Sequence, residues 1–295
     1  MIEVTPVSVR YREYPPCEAL RGCVRALFSF SEPVEEPARR PVLLEVQFGG
    51  GERFCAPTFA DAHSCIVFNF DKRYYADGIW RRYSSLPKGD VIGPMTFPGP
   101  PCVPARTESI GAYFCAGVAF PGTPVVELEN RVRALEDVWG TEARLLADEL
   151  SSLRCDSARL HRLESALVQR IEAPGHIQTP INISKIAAWI IRSGGQLTVE
   201  RLAEAAGLSR RHFTRLFRDS VGVSPKTYCQ LARFRSALVY VRRGESAGWA
   251  HVAANCGYAG QSHMIAEFRR FAGLTPEALV QGRWFHPFIE GAKPE

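Results

Sequence analysis

The sequence lacks any apolar run long enough to cross a bilayer. Its best, IAAWII at 186–191, falls far short of the roughly 20 residues that a spanning helix needs. The opening MIEVTPVSVRYREYPP has no apolar core of the kind a secretory signal carries, so a soluble, cytoplasmic protein with no membrane partner is expected. CxxC spacing is also missing. Nine cysteines lie scattered at 17, 23, 55, 65, 102, 115, 155, 229 and 256, and an odd set without a signal implies reduced thiols rather than a disulfide frame. There is no zinc-ligand spacing and no nucleophile-elbow pattern. Asp61, His63 and Ser64 stand too close in sequence for a typical triad. The triplet Gly49-Gly50-Gly51 is followed by Glu52 and reads as a strand turn rather than a phosphate loop. No catalytic residue, metal site or cofactor is therefore assigned, and any ligand-binding residues stay unknown. Cys55, His63, Cys65, Cys102 and Cys115 are the candidates for a soft-ligand or redox cluster. The plainer reading is that cysteine here acts as a small buried hydrophobe.

What is present divides unevenly. Apolar content of 46% and charged content of 23% are ordinary globular values, compatible with an enzyme or a binder. The net charge of +5 splits into +8 for residues 183–295, with 16 Lys and Arg against 8 Asp and Glu, and −3 for residues 1–182. A basic C-terminal third on a slightly acidic remainder points to an anionic partner for one end only.

Periodicity divides the chain in the same place. Short β-favouring runs, VRALFSF (24–30), VLLEVQF (42–48), CIVFNF (65–70) and SIGAYFCAGVAF (109–120), alternate with turn-forming segments. They predict a β-rich domain over 1–123, of barrel or sandwich type. From Val125 the spacing turns helical, with Leu128, Val132, Leu135 and Trp139 as a first stripe. Thr141 and Asp156 are candidate N-caps for two further helices. Residues 124–172 thus read as a helical connector that covers the β domain or serves a homodimer. APGHIQTPIN (173–182) reads as a linker, 183–288 as an all-helical domain and 289–295 as a tail. The fold class expected is α+β.

The helical domain contains one unit twice. ERLAEAAGLS (200–209) followed by FTRLFRDSVGVSP matches AHVAANCGYA (250–259) followed by MIAEFRRFAGLTP, at an offset of 50 that becomes 51 after the turn. Each copy has a short helix with a small residue inside, a glycine turn and a second helix, the pattern of a helix-turn-helix. Gly207 and Gly257 are expected at positive φ, Ala203 and Ala253 at close helix crossings, and Ser209 as an N-cap. On the second helix of the first copy, Phe213, Leu216 and Phe217 share one face. Arg211, Thr214, Arg215 and Arg218 take the opposite side, with Arg210 beside them. Such a face fits the major groove of double-stranded DNA, where Arg pairs with guanine and further arginines hold phosphates. Arg210 and Arg218 in the first copy and Arg269 and Arg270 in the second are the phosphate candidates. The segment 225–244 predicts a connecting helix of about 27–30 Å, near the ~34 Å between successive major-groove faces.

The stretches LAEAAGLSRRHFTRLFRDSVGVSP and VAANCGYAGQSHMIAEFRRFAGLTP resemble the AraC/XylS family of bacterial transcription regulators over about the last hundred residues. The resemblance implies a DNA-binding domain of about seven helices with two helix-turn-helix units, acting on promoters as an activator or repressor through RNA polymerase. It places base-reading positions at Arg211, Thr214 and Arg215 in the first unit. In the second it places them at Gln261, Ser262, Ile265 and Ala266. Ile265 and Ala266 can meet thymine methyls but donate no hydrogen bonds, so specificity is expected to rest mainly on the first unit. His263 stands where the family commonly has an aromatic residue and reads as packing or capping. By the family's usual architecture the N-terminal domain is a sensor for an unknown small-molecule effector. YREYPP, VIGPMTF, SIGAYFCAG and RVRALEDVWG are similar to pieces of one uncharacterised subgroup, but Cys115 and Ala116 replace an expected Arg-Pro pair. The alternative is an enzyme, such as a thiol-based alkyl-transfer protein, fused to the same DNA-binding module.

Overall fold

A computed structural model describes residues 10–31, 44–45, 54–55, 59–70, 88–98, 108–118, 123–172, 181–242 and 248–281. Among the described residues, eight strands come first: β1 (Arg10–Tyr14), β2 (Val24–Ser31), β3 (Leu44–Glu45), β4 (Phe54–Cys55), β5 (Cys65–Asn69), β6 (Lys88–Ile92), β7 (Glu108–Phe114) and β8 (Val132–Ala134). Six of them form one antiparallel sheet in the order β1-β2-β7-β5-β6-β8, and β3 pairs with β4 in a second, two-stranded sheet. Successive side chains point to opposite faces of a strand, and the register makes that alternation coherent. Leu27 lies opposite Ala112 and Ile66 opposite Ala112, so these small and branched residues share one face. Phe28, Cys65 and Tyr113 share the other, where the rings of Phe28 and Tyr113 lie 4.9 Å apart.

The first face is covered by α1 (Leu135–Trp139), α2 (Thr141–Ser152) and α3 (Asp156–Glu172). The stripe Leu128, Val132, Leu135 and Trp139 does not lie on one helix. Val125–Leu128 is a 3-10 turn, Val132 belongs to β8 at the sheet edge, and only Leu135 and Trp139 are α-helical. Burial decides the matter: Leu128 and Leu135 are fully buried against the sheet, so their spacing reflects coverage of a core rather than one continuous helix. Gly140 at φ +71, rather than Thr141, forms the boundary ahead of α2. Cys102, Gly49 to Gly51 and the turn PGPPCVP lie largely or wholly outside the described residues, as does the stretch 173–180.

Seven helices follow among the described residues: α4 (Ile181–Arg192), α5 (Val199–Ala205), α6 (Arg210–Val221), α7 (Pro225–Arg242), α8 (Trp249–Asn255), α9 (Gln261–Ala272) and α10 (Pro276–Gln281). α7 is the central spine, about 27 Å long for its 18 residues. It buries Tyr228, Leu231, Phe234, Ala237 and Leu238, and meets a different helix pair on each side. Phe217 of α6 packs edge-on to Tyr228 at 5.4 Å, while Phe268 and Phe271 of α9 pack on Phe234 at 4.9 and 5.5 Å. Edge-to-face pairs at such distances add to simple area burial. One aromatic seam thus holds both helix pairs on a single rod.

Candidate nucleic-acid interface

The two helix pairs, α5 with α6 and α8 with α9, share backbone geometry as well as sequence. The Leu208 N–H donates to the Ala203 carbonyl at 3.0 Å, and fifty residues later the Tyr258 N–H donates to the Ala253 carbonyl at 2.9 Å. Between them Gly207 and Gly257 take φ of +67° and +72°, a conformation that costs glycine alone no side-chain strain. Ala203 and Ala253 are almost wholly buried. The starts of the pairs differ. The Ser209 hydroxyl accepts from the His212 N–H at 3.3 Å and caps α6, whereas α9 begins after Gly260 with no side-chain cap.

α6 sorts its residues sharply. Phe213 and Phe217 are fully buried and Leu216 half-buried, while Arg210, Arg211, Arg215 and Arg218 are exposed and Thr214 is intermediate. On α9, Met264 and Phe268 are fully buried. Gln261, Ser262, Ala266, Arg269 and Arg270 are exposed, and Ile265 is half-buried. The exposed arginines fall into two groups by partner. Arg210 pairs with Glu200 at 3.0 Å and Arg218 with Glu129 at 3.6 Å, and Arg270 donates to the Gln230 side-chain oxygen at 3.4 Å. Arg211 and Arg215 make no ion pair among the described residues. Between the first turns of α6 and α9 lies a cleft of about 450 Å³, into which Arg210, Lys226, Arg233, His263 and Glu267 reach.

The N-terminal domain touches the far ends of the same two helices. The Ala60 N–H donates to the Phe271 carbonyl in the last turn of α9 at 2.9 Å, and Ala60 and Ala62 are buried within the C-terminal core. Gly222, which ends α6 at φ +89°, faces Pro94 and the Val125 carbonyl, each 3.0 Å from where a Cβ would stand. The Ser184 hydroxyl on α4 donates to the Ala116 carbonyl at 2.9 Å. Beside Ala60, the Asp61 carboxylate accepts from His63 Nδ1 at 2.7 Å and from the His63 backbone N–H at 3.1 Å. Burial opposes its ionisation, yet the pairing with His63 and the nearby Arg235 hold the Asp61 carboxyl well below the usual carboxylate range. A small cavity of about 60 Å³ lies between this segment and α7.

Sequence reasoning located the arginine face but not these contacts between domains, which join segments far apart in the chain. It also missed Lys226 and the buried Glu267. A signal for Glu267 did exist, since at the repeat offset of 51 it replaces Leu216. Of the candidate soft-ligand set, Cys102 lies outside the described residues. Among the described residues no group of three or more His, Cys, Asp or Glu is placed to hold a metal ion. Burial, and next to it Asp61, raise the Cys65 thiol, and burial raises that of Cys115.

The Helix-turn-helix domain family matches residues 202–282. An HTH-type transcriptional regulator of Mycobacterium tuberculosis is 35% identical over 86 residues, covering 29% of this chain and 33% of that protein. The RCS-specific HTH-type transcriptional activator RclR of Escherichia coli is 34% identical over 121 residues, covering 41% of this chain and 36% of that protein. Among solved structures, the DNA-binding domain of AdpA in complex with a target DNA is 29% identical, over 34% of this chain and 90% of that chain, with a TM-score of 0.32. The matched region spans about a third of the length of these curated relatives. No helix among the described residues is long and apolar enough to cross a membrane. A helix-turn-helix family match at 202–282, the regulators it shares this region with, and the arginine-faced helix within it agree: residues 202–282 form a helix-turn-helix domain that these transcriptional regulators also carry.

Proposed function

We propose that the chain is a one-component transcription regulator that reads promoter DNA through both helix pairs. In this reading the chain comprises a β-rich sensor, a helical connector and a reading domain from about 183 to 288 with two helix-turn-helix units. Arg211, Thr214 and Arg215 read bases from α6, and Gln261, Ser262, Ile265 and Ala266 from α9. Arg210, Arg218, Arg269 and Arg270 hold phosphates. The observation that carries this reading is the split among the α6 arginines. Arg211 and Arg215, at the base-reading positions, are exposed and make no ion pair among the described residues, whereas Arg210 and Arg218, at the phosphate positions, rest on carboxylates. Phosphate contacts fix orientation and base contacts supply sequence.

An effector at the N-terminal domain would act through the segments that meet the ends of α6 and α9. A ligand shifts such an arrangement only by binding its states unequally. The interface with RNA polymerase and a homodimer belong to the same proposal. The alternative of an alkyl-transfer enzyme requires a reactive thiol in residues 1–123, and the raised Cys65 and Cys115 thiols argue against those two. The test is titration of the full chain with promoter and random duplex across salt concentrations. Tighter promoter binding with a steep negative salt slope supports the proposal. Equal affinity for both duplexes contradicts it.

A further inference from the structure

Glu267 is only 4% exposed, on a helix whose last turn carries the exposed Arg269 and Arg270. Burying a carboxylate costs free energy unless it is paired and hydrogen-bonded. Here one oxygen accepts from Gln230 Nε2 at 3.0 Å and lies 3.5 Å from His263 Nε2 one turn earlier on α9. The other oxygen is buried and makes no hydrogen bond among the described residues, and neither does the Tyr258 hydroxyl. The two groups still interact: burial, and then the Glu267 carboxylate, push the Tyr258 hydroxyl well above its ordinary range. The Tyr258 ring in turn stands edge-on to His263 at 5.5 Å. His263 is therefore packed on one side and faces a carboxylate on another, while its side chain stays 41% exposed to the cleft between the reading helices.

The repeat supplies an internal comparison. The first copy has His212 at the place of His263 and Leu216 at the place of Glu267, so a carboxylate in this position is not needed to build the helix pair. We propose that His263, oriented by the buried carboxylate of Glu267, is a cationic contact to a DNA phosphate in the seam between the two helix pairs. This rests on the DNA-reading proposal above. The carboxylate stands 3.5 Å from Nε2, which leaves the other ring nitrogen available to a ligand in the cleft. Charged groups from every neighbouring element face the same seam: Glu200 from α5, Arg210 from α6, and Lys226 and Arg233 from α7, together with Tyr258 and Glu267. The cations among them draw the same phosphate. Histidine is the side chain whose charge ordinarily changes between pH 5 and 8, so binding takes up a proton and strengthens as the pH falls.

The test measures Kd of the full chain for its selected duplex against salt at pH 6 and pH 8, for wild type, H263Q, E267L and H212Q. Wild type is expected to bind several-fold tighter at pH 6. H263Q should lower the salt slope by about one at pH 6 and flatten the pH response. E267L should flatten it as well while unfolding at or above the wild-type temperature, since an apolar residue replaces a buried charge. H212Q should keep the response. An unchanged slope in H263Q, or a wild-type pH response in either H263Q or E267L, overturns the proposal. A wild type that binds no duplex preferentially removes the DNA-reading proposal too; preferential binding with an unchanged slope removes only this one.

Discussion

Arg215 and Arg218 sit less than one helical turn apart on α6, yet their surroundings differ. Arg215 makes no ion pair among the described residues, while Arg218 lies 3.6 Å from Glu129, just after the 3-10 turn Val125–Leu128. Arg215→Ala should cost about 1–3 kcal/mol of specific binding and relax the preference at one base position, whereas Arg218→Ala should weaken all duplexes alike and lower the salt slope by about one. Titration against the selected site and single-base variants of it separates the two. The cysteines differ as clearly. Cys155 is exposed, and its thiol is lowered by the Ser157 hydroxyl and the Ala158 backbone N–H. Cys229 and Cys256 are buried and pushed up to about 11. Alkylation of the native protein at pH 8, followed by mass spectrometry, should label Cys155 first and leave Cys229 and Cys256 until the protein unfolds. The exposed faces of α6 and α9 were legible in the sequence because helical spacing alone separates Phe213 and Phe217 from the arginines. The repeat marks Glu267 by its mismatch with Leu216, but its burial and its contact with Gln230 arise only on folding.

At the scale of elements, the repeat carried most of the information. It placed both glycine turns, the buried alanines and the Ser209 cap from residue type and offset alone, because each is set within a few residues of chain. Ser209→Ala should destabilise the domain by about 1 kcal/mol, read by chemical denaturation. Gly222→Ala should cost more. Its φ of +89° strains any L side chain, and the added methyl meets Pro94 and Val125 at 3.0 Å or little more. The connector resisted such reading for a reason of the same kind. Leu128, Val132, Leu135 and Trp139 are spaced as a helix would space them, but a 3-10 turn, an edge strand and a short helix present the same residues to one core. Hydrophobic spacing reports which residues are buried, not which backbone buries them. β6 lies partly in a stretch with turn composition, LPKGD, and is held in the sheet by pairing to β5, which sequence does not display.

Across the whole molecule, three separate earlier stretches of the chain hold the ends of both α6 and α9. Ala60 bonds to the end of α9, Pro94 and Val125 meet the end of α6, and Glu129 pairs with Arg218. Asp61 anchors the first of them. Its carboxyl is held below the usual range in the folded state, so it contributes stability that is fully present above the ordinary carboxylate value of about 3.9 and is lost as the pH falls below it. Asp61→Asn should lower the melting temperature at pH 5–6, and the gap from wild type should close as the pH drops below about 4. Thermal unfolding across that range checks the sign. A gap that widens on acidification would contradict the assignment.

The central claim is that α6 and α9, fixed on one rod about 27 Å long, read adjacent turns of one groove face. Selection of bound duplexes from a random pool by the full chain tests it most directly. The account predicts two enriched blocks with centres about 10–10.5 base pairs apart. The block under Arg211 and Arg215 should be rich in guanine contacts and the more sharply defined. The block under Ile265 and Ala266 should be weaker and tolerant, with thymine favoured. A single enriched block, or no enrichment over the starting pool, would contradict it.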